Sequence, residues 1–253
     1  PEVFITVGGT NGKGTTVSMI EATYRSSGYK VGCYTSPHLI SYCERIRVSG
    51  LDVNPELLCE AFSAVDNARG SIPLTYFEFG TLAAFYIFSH LRIDVAILEV
   101  GMGGRLDAVN LLNPDLAILC TIDIDHQAWL GSTREKIGAE KAGIFRYRGK
   151  AVVADPDPPS SVISRLAILR CEAQQHHKNF EVRPSGQNVW HWRHFRDATF
   201  GAGLPEEVQI STGSLIRARN LSGALASVYA LQDTLPIKAK DLDALLAAVT
   251  PGR

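Results

Sequence analysis

The sequence lacks an excess of charge of either sign. Its 253 residues include 25 Lys and Arg against 26 Asp and Glu, which gives a net charge of −1. A protein that binds nucleic acid without sequence preference needs a basic surface, because much of its affinity comes from releasing counterions. The balanced composition argues against this class, and we expect no nucleic-acid partner.

Long hydrophobic runs are also lacking. The apolar stretch at 82–88 is among the longest, and it is far shorter than the roughly 18 residues needed to cross a bilayer. No signal-peptide pattern precedes the first strand-like run. We therefore expect no membrane partner and a cytoplasmic location.

Cysteine is scarce and unfavourably spaced for crosslinks or metal. The five cysteines are an odd number, and no two are spaced as Cys-x-x-Cys. These features argue against a disulfide framework and against a zinc site. With 45% hydrophobic and 20% charged residues, the composition is that of an ordinary globular protein. At roughly 150 residues per domain, the length allows one large domain or one and a half.

Short apolar strands alternate with helices along the first 155 residues. Continuous hydrophobic strands, buried on both faces, are typical of parallel sheets with crossover helices. The sequence thus predicts an α/β fold with a mostly parallel sheet flanked by helices. Strands are predicted over 3–7, 31–35, 94–99, 115–121 and 151–154, and helices over 13–27, 55–68, 77–91 and 133–142. Beyond residue 155 we predict a helix over 161–175, a smaller β-rich section near 178–211, and helices over 220–231 and 241–249.

A glycine-rich stretch follows the first predicted strand and opens the first helix. It reads GTNGKGTT over residues 9–16. Glycines let backbone amides approach phosphate oxygens, the helix N-terminus adds positive potential, and Lys13 supplies a point charge. Thr15 or Thr16 offers a hydroxyl for magnesium. The stretch departs from the standard phosphate loop, which has glycine where this chain has Val7 and a hydroxyl residue where it has Gly14.

Further polar residues follow the later strands. Ser36 follows the second strand, Glu99 closes the third, and His126 comes after the fourth. Ligands of open α/β sheets bind at the carboxyl ends of the strands. A hydroxyl, a carboxylate and an imidazole are therefore expected at one edge. Magnesium or another cation there would offset the cost of burying the acid.

Three further charged residues can each be interpreted in two ways. Arg105 and Asp107 follow the glycines after Glu99, and they could bind a substrate or each other. Lys141 lies near the end of a predicted helix, where a solvated surface lysine is the ordinary alternative. A metal nearby would repel this lysine unless the side chain were chemically modified.

In order along the chain, these stretches resemble the dihydrofolate synthase / folylpolyglutamate synthase family of the Mur ligase superfamily. The resemblance covers nearly the whole chain and is clearest over residues 1–155. It is carried by GTNGKGTT (9–16), YTSPHL (34–39), LTYFEFGTL (74–82), LEVGMGGRLDA (98–108), DHQAWLG (125–131) and EKAGIF (140–145).

The resemblance implies a P-loop NTPase-like central domain that uses ATP and two magnesium ions. Lys13, His126 and Lys141 would be catalytic, with Lys141 carbamylated. The metal ligands would be Ser36, Glu99, His126 and Lys141. The implied ATP-binding residues are Thr10, Asn11, Gly12, Lys13, Gly14, Thr15, Thr16, Asn220 and Arg253. The implied substrate-binding segment is Thr75, Tyr76, Phe77 and Glu78, to which Arg105 and Asp107 are added as candidates. Around Asn220 the chain reads RARNLS, which departs from the family pattern.

The resemblance also implies a reaction. A carboxylate of dihydropteroate or folate would attack ATP, and L-glutamate would then displace phosphate from the acyl phosphate. We expect residues 1–253 to form one ATP-binding central domain and to be monomeric, with the family's N-terminal segment and C-terminal glutamate-binding domain outside this chain. The alternatives are another Mur-type amino-acid ligase, a small-molecule kinase, or a nucleotide-binding fragment without turnover.

Overall fold

The computed structural model describes residues 1–195, 201, 203–212 and 214–247. Eleven strands lie in these residues: β1 Val3–Gly8, β2 Val31–Tyr34, β3 Ile46–Val48, β4 Leu51–Asp52, β5 Val95–Glu99, β6 Leu116–Leu119, β7 Lys150–Val153, β8 Glu172–Gln175, β9 Phe180–Gly186, β10 Val189–His194 and β11 Glu207–Ser211. The α-helices described are α1 Lys13–Ser26, α2 Pro55–Arg69, α3 Tyr76–His90, α4 Gln127–Leu130, α5 Arg134–Lys141, α6 Ser160–Ile168, α7 Leu215–Ala230 and α8 Leu242–Ala247.

Eight strands form one sheet in the order β4-β3-β2-β5-β1-β6-β7-β8. The six strands from β2 to β8 in this order are parallel, and β3 and β4 add an antiparallel edge. Strands β9, β10 and β11 form a separate antiparallel sheet. The predicted α/β class and the smaller β-rich section are both confirmed.

Strand β1 lies in the middle of the large sheet. It pairs with β5, where Val7 is opposite Glu99, and with β6, where Gly8 is opposite Leu119. The parallel strands are apolar on both faces because helices cover both faces. The carboxyl ends of β1, β2, β5 and β6 therefore lie together at one edge of the sheet.

Two hydrophobic cores lie on the two faces of the large sheet. One contains side chains of α1, α7 and α8 together with the small sheet, including the fully buried Trp192. The other contains side chains of α2, α3, α5 and α6. Burying one large apolar side chain stabilises the fold by about 1.5–3 kcal/mol, so these helices are held mainly by their buried stripes.

Four of the eight described α-helices begin with a side-chain cap, namely α2, α3, α5 and α7. Asn54 accepts a hydrogen bond from Leu57 N and precedes a proline at the first position of α2. Thr133 caps α5 in the same manner. These bonds satisfy backbone donors that the first helical turn leaves unpaired. Helices α1 and α6 differ, since no side chain in the described part of the protein caps either of them.

One predicted helix is wrong in its second half. The sequence predicts a helix over 161–175, but α6 ends at Ile168 and Glu172–Gln175 forms β8. The buried stripe of α6 stops at Leu166, and Arg170 has a left-handed backbone with φ of 51°. The next residues pair in parallel with β7. Sheet pairing has overridden a weak helical preference.

The last two helices shift at their ends. Helix α7 begins at Leu215 and not at 220, and α8 spans Leu242–Ala247, so residues 248 and 249 of its prediction lie outside the described residues. Within the described part, no helix combines the length and the hydrophobicity needed to cross a membrane.

Candidate active site

The glycine-rich loop is tied to the segment that follows β6. Thr10 N donates to Thr121 O at 2.6 Å. The Thr10 hydroxyl donates to Asp123 O and accepts from Asp123 N, both at 3.0 Å. Gly9 has φ of 144°, and a Cβ there would lie 2.9 Å from Cys120 Cβ. Only glycine allows this approach, so the loop conformation is set by its neighbour as well as by its own sequence.

Lys13 and the first turn of α1 face the inside of this loop. Gly12 precedes the helix with φ of 86°. Lys13 Nζ folds back and donates to Gly9 O at 3.2 Å and to Thr10 O at 3.3 Å. An uncapped helix start next to an ammonium group is an arrangement that suits an anion, because free backbone N–H groups and a positive charge lie close together.

The two threonines after Gly14 differ in their surroundings. Thr15 is exposed, whereas Thr16 is buried and its hydroxyl lies 3.4 Å from Cys120 Sγ. Thr15 is therefore the better placed of the two for a ligand. A Cβ on Gly14 would lie 3.6 Å from Glu99 Oε2, so the Glu99 carboxylate lies against the first turn of α1.

Glu99 is a buried acid at the end of β5, with 5% of its surface exposed. Its Oε2 accepts a hydrogen bond from Ser36 N at 3.2 Å. Burial raises the pKa of Glu99, and the positive charge of Lys13 opposes this rise. A cation at this carboxylate would stabilise its ionised form. The structure thus brings Glu99 and Ser36 together, as predicted from the strand ends, and places the charge of Lys13 near them.

Lys141 is buried, with 4% of its surface exposed. Its Nζ donates to Gly9 O at 3.0 Å, on the same carbonyl that Lys13 contacts. Burial, reinforced by repulsion from Lys13, lowers the pKa of Lys141 to about 8. The interpretation of Lys141 as a solvated surface residue is wrong, because α5 places it under the glycine-rich loop.

His126 lies at the mouth of the same site. Its side chain is half exposed, and Nε2 lies 3.5 Å from Asp125 Oδ2. A small cavity brings His126 together with Lys13 and Lys141, and it is lined also by Gly9, Thr10, Val100, Gly101, Met102, Gly103 and Asp125. The described geometry therefore gathers the three residues that the resemblance names as catalytic.

Arg105 and Asp107 do not bind each other. Arg105 pairs with Glu140 at 3.1 Å and remains half exposed. Asp107 accepts hydrogen bonds from Met102 N and Val109 N, both at 3.0 Å. Asp107 thus holds the glycine-rich turn after β5, and burial raises its pKa.

The predicted substrate segment forms the start of α3. Thr75 and Glu78 make a reciprocal capping box, with Glu78 N to Thr75 Oγ1 at 3.2 Å and Thr75 N to Glu78 Oε2 at 2.7 Å. Phe77 packs behind Gly101, where a Cβ would lie 2.7 Å from its ring. Tyr76 is exposed and lines an open cleft of about 590 Å³ together with Tyr42, Phe62, Arg69, Pro73, Leu74, Thr75 and Phe79.

Two residues were assigned to the nucleotide by resemblance alone. Asn220 is buried in α7, and its Oδ1 would lie 2.3 Å from a Cβ on Gly12. The structure thus places Asn220 against the glycine-rich loop, although its sequence surroundings depart from the family pattern. Arg253 lies outside the described residues.

Sequence reasoning missed a buried ion pair beside the site. Arg47 Nη2 lies 2.8 Å from Glu21 Oε2, and Arg47 Nη1 donates to Thr35 Oγ1 at 3.2 Å. The pair links α1 to the residue before Ser36. The sequence offered one indication of this pair, the arginines at positions 45 and 47 of a strand-like stretch. A charged side chain that a strand buries needs a partner.

The central strand of the parallel sheet leads into a glycine-rich loop with a lysine, and an uncapped helix follows. This arrangement defines a nucleotide-binding domain of the P-loop type. A family model described as the Mur ligase middle domain matches residues 7–170. The chain belongs to the Mur ligase family, of which it contains the middle domain.

Similar proteins come from the folate branch of this family. The dihydrofolate synthase/folylpolyglutamate synthase of Escherichia coli strain K12 is 39% identical over 257 residues, covering 100% of this chain and 57% of the relative. The structure of E. coli FolC in complex with DHPP and ADP has a TM-score of 0.89 at 37% identity, covering 99% of this chain and 58% of that one. The bifunctional enzyme of Yersinia pestis, complexed with AMPPNP and a Mn ion, has a TM-score of 0.84 at 41% identity, covering 98% and 58%. The chain thus spans a little over half the length of the curated E. coli relative.

Proposed function

We propose that this chain is the ATP-binding part of a ligase that forms an amide bond between L-glutamate and the carboxylate of dihydropteroate or folate. The observation that carries the proposal is the convergence of Lys13, Glu99, His126 and Lys141 on one loop at the carboxyl edge of the sheet. The similarity to FolC structures with DHPP and ADP supports the substrates. We also propose that residues 1–253 act as a single ATP-binding domain.

The loop residues would bind the nucleotide phosphates. Lys13 Nζ donates to two backbone carbonyls of its own loop, Gly9 O and Thr10 O, and it can exchange these for phosphate oxygens. The amide groups at the start of α1 add donors that no side chain of the described residues occupies. The γ-phosphate would then lie between Lys13 and the carboxyl end of β5.

The residues at the end of β5 fit a magnesium ion. Glu99 is a buried carboxylate that accepts a hydrogen bond from Ser36 N, and the side chain of Ser36 carries a hydroxyl. No group of three or more His, Cys, Asp and Glu able to hold a metal occurs in the described part of the chain. Magnesium suits such a site because it is often held by one or two protein oxygens, water and substrate phosphates. When bound, it would neutralise phosphate charge during transfer.

The reaction itself would proceed by two displacements. The substrate carboxylate oxygen forms a bond to the γ-phosphorus while the bond from phosphorus to ADP breaks. The glutamate amine then attacks the acyl carbon, loses a proton, and phosphate leaves. The protein contributes by orienting the reactants and by offsetting the charge of two anions that must meet.

Lys141 is a candidate for carbamylation. With its pKa near 8, part of the amine is unprotonated close to neutral pH, and an unprotonated amine can attack carbon dioxide. The resulting anion would remove the repulsion between Lys141 and Lys13. Carbon-13 NMR with labelled bicarbonate should show a carbamate signal in the unaltered chain that Lys141→Arg lacks. A signal of equal strength in both would refute this assignment.

The proposed function is tested by calorimetric titration of dihydropteroate into the chain with Mg²⁺ and AMPPNP present. We expect binding that depends on the nucleotide and is lost in Lys13→Ala. If AMPPNP binds but dihydropteroate does not, the folate substrate is contradicted and another Mur-type amino-acid substrate is favoured. If neither binds, the chain is not an ATP-binding unit by itself.

A further inference from the structure

Arg45 is a buried cation with no acidic partner among the residues that the structure describes. Only 9% of its surface is exposed. Its Nε donates to His38 Nδ1 at 2.8 Å. The nearby arginines differ: Arg47 pairs with Glu21 at 2.8 Å, and Arg69 pairs with Asp66 at 2.5 Å.

The guanidinium of Arg45 lies behind the aromatic wall of the open cleft. Its central carbon is 5.4 Å from the ring centroid of Tyr42 and 5.5 Å from that of Tyr76. The two rings are themselves 5.7 Å apart in an edge-to-face arrangement. Both tyrosines line the cleft of about 590 Å³ at the start of α3.

Arg45 is also connected to the other end of the site. Thr35 N donates to Arg45 O at 2.8 Å, one residue before Ser36. The positive charge of Arg45 is among those that oppose the rise in the pKa of Glu99. Arg45 therefore borders both the aromatic cleft and the carboxyl end of β5.

Burying a guanidinium without a counterion is costly. Contact with two aromatic faces recovers part of this cost. A carboxylate recovers more, because its two oxygens match the planar fork of the guanidinium. One ligand that carries both an aromatic ring and a carboxylate would place its ring in the cleft and its carboxylate at Arg45.

We propose that Arg45 binds the carboxylate of the acid substrate, an aromatic carboxylate whose ring lies against Tyr42 and Tyr76. This inference rests on the proposed function and identifies the group that directs the reacting carboxylate towards the nucleotide. Arg45 would contact the substrate directly, and His38 would orient Arg45 through the bond to Nε.

The test compares two ligands that differ only in charge, dihydropteroate and its carboxamide. Both are titrated into the chain with Mg²⁺ and AMPPNP. The unaltered chain should prefer the carboxylate by about 10- to 100-fold, the range of a hydrogen bond to a charged group. Arg45→Gln should reduce this preference to a few-fold, mainly through weaker binding of the carboxylate, and Arg45→Lys should keep part of it.

The matched control is Arg69→Gln, another arginine of the same cleft whose charge is already paired with Asp66. It should change both affinities by the same factor and leave the preference intact. A preference that survives Arg45→Gln would overturn the proposal and assign Arg45 a packing role. So would an unaltered chain that binds both ligands equally.

Two further results separate this inference from the proposed function. If the unaltered chain binds AMPPNP but neither ligand, the proposed substrate is wrong and this inference falls with it. If Arg45→Gln also loses AMPPNP binding, its fold is disturbed, and Arg45→Lys decides: an undiminished preference overturns the proposal, and a reduced one supports it.

Discussion

Lys141 and His176 are both buried, and burial lowers both pKa values by a similar amount. The pKa of Lys141 falls from 10.5 to about 8, and that of His176 falls from 6.5 to about 4. Lys141 donates to the glycine-rich loop and borders a small cavity. Neither ring nitrogen of His176 has a hydrogen-bond partner in the described part of the chain, and its ring packs edge-on against His177 and Phe180.

The difference lies in where each lowered pKa falls. His176 is neutral over the whole range in which most proteins work, so it behaves as an aromatic core residue between the two sheets. Lys141 exists in both protonation states near pH 8 and can accept or lose a proton there. Equal burial therefore produces chemistry only where the unperturbed pKa is high enough and a cavity gives access.

The largest expected effect comes from Lys13→Ala, which tests whether the loop edge is a ligand site at all. We expect AMPPNP affinity to fall by about 100-fold or more, because the ammonium supplies a charge-assisted bond that no neutral side chain replaces. The measurement is calorimetry in the presence of Mg²⁺. The control is Lys178→Ala, which removes an exposed lysine beside His177 and should leave the affinity unchanged. Equal effects of the two variants would mean that the glycine-rich loop is not a ligand site.

Lys141→Met tests whether the lowered pKa of Lys141 makes the stability of the chain depend on pH above neutrality. The folded chain releases the Lys141 proton near pH 8, whereas the unfolded chain holds it to about 10.5. The unfolded state therefore binds more protons in this window, and the free energy of unfolding rises with pH across it. The rise should amount to about 3 kcal/mol at most. Urea titrations at several pH values should show it in the unaltered chain and not in Lys141→Met, with Lys136→Met, an exposed residue of α5, as control.

His176→Phe tests whether the lowered pKa of His176 makes the stability of the chain depend on pH in acid. The unfolded chain binds a proton at His176 below about 6.5, and the folded chain does so only near 4. The stability that neutral His176 contributes is complete above 6.5 and is lost as the pH falls towards 4, by about 3 kcal/mol at most. His176→Phe should weaken this acid dependence of the free energy of unfolding. An unchanged acid profile would mean that His176 is protonated in the fold and is not a core ring.

Arg105→Ala is expected to have the smallest effect on stability. Its ion pair with Glu140 at 3.1 Å is half exposed, and such pairs contribute about 0–1 kcal/mol. Arg193→Ala, which removes an exposed pair with Glu207 in the small sheet, should match it in chemical denaturation. If Arg105 binds substrate, Arg105→Ala should also weaken dihydropteroate binding, and Arg193→Ala should not.

Sequence reasoning worked best where one local rule decides the outcome. The hydrophobic run ending at Glu99 predicted both a buried strand and an acid at its carboxyl end, because each follows from the residues themselves. The start of α1 was predicted from the glycines and Lys13 for the same reason. The parallel sheet followed from the alternation of strands and helices.

Prediction failed where the local structure or the burial of a residue depends on segments far away in the sequence. The burial of Lys141 depends on how α5 packs under a loop that lies 132 positions earlier in the chain. The cleft combines Tyr42, Phe62 and Phe79 from three separate elements, and none of them stands out in the sequence. Strand β8 was missed because its pairing with β7 provides the stabilisation that its own residues do not indicate.

The central position of β1 has a consequence for the order of folding. The first strand of the chain is flanked by β5 and β6, and Thr10 in its loop bonds to a residue 113 positions later. Contacts of such sequence separation form slowly, because a long loop must close before they can contribute. During synthesis, the glycine-rich loop therefore lacks its bonds to the segment near Asp123 until that segment has emerged. The two edges of β1 stay open to another strand or to a chaperone until β5 and then β6 have emerged to cover them.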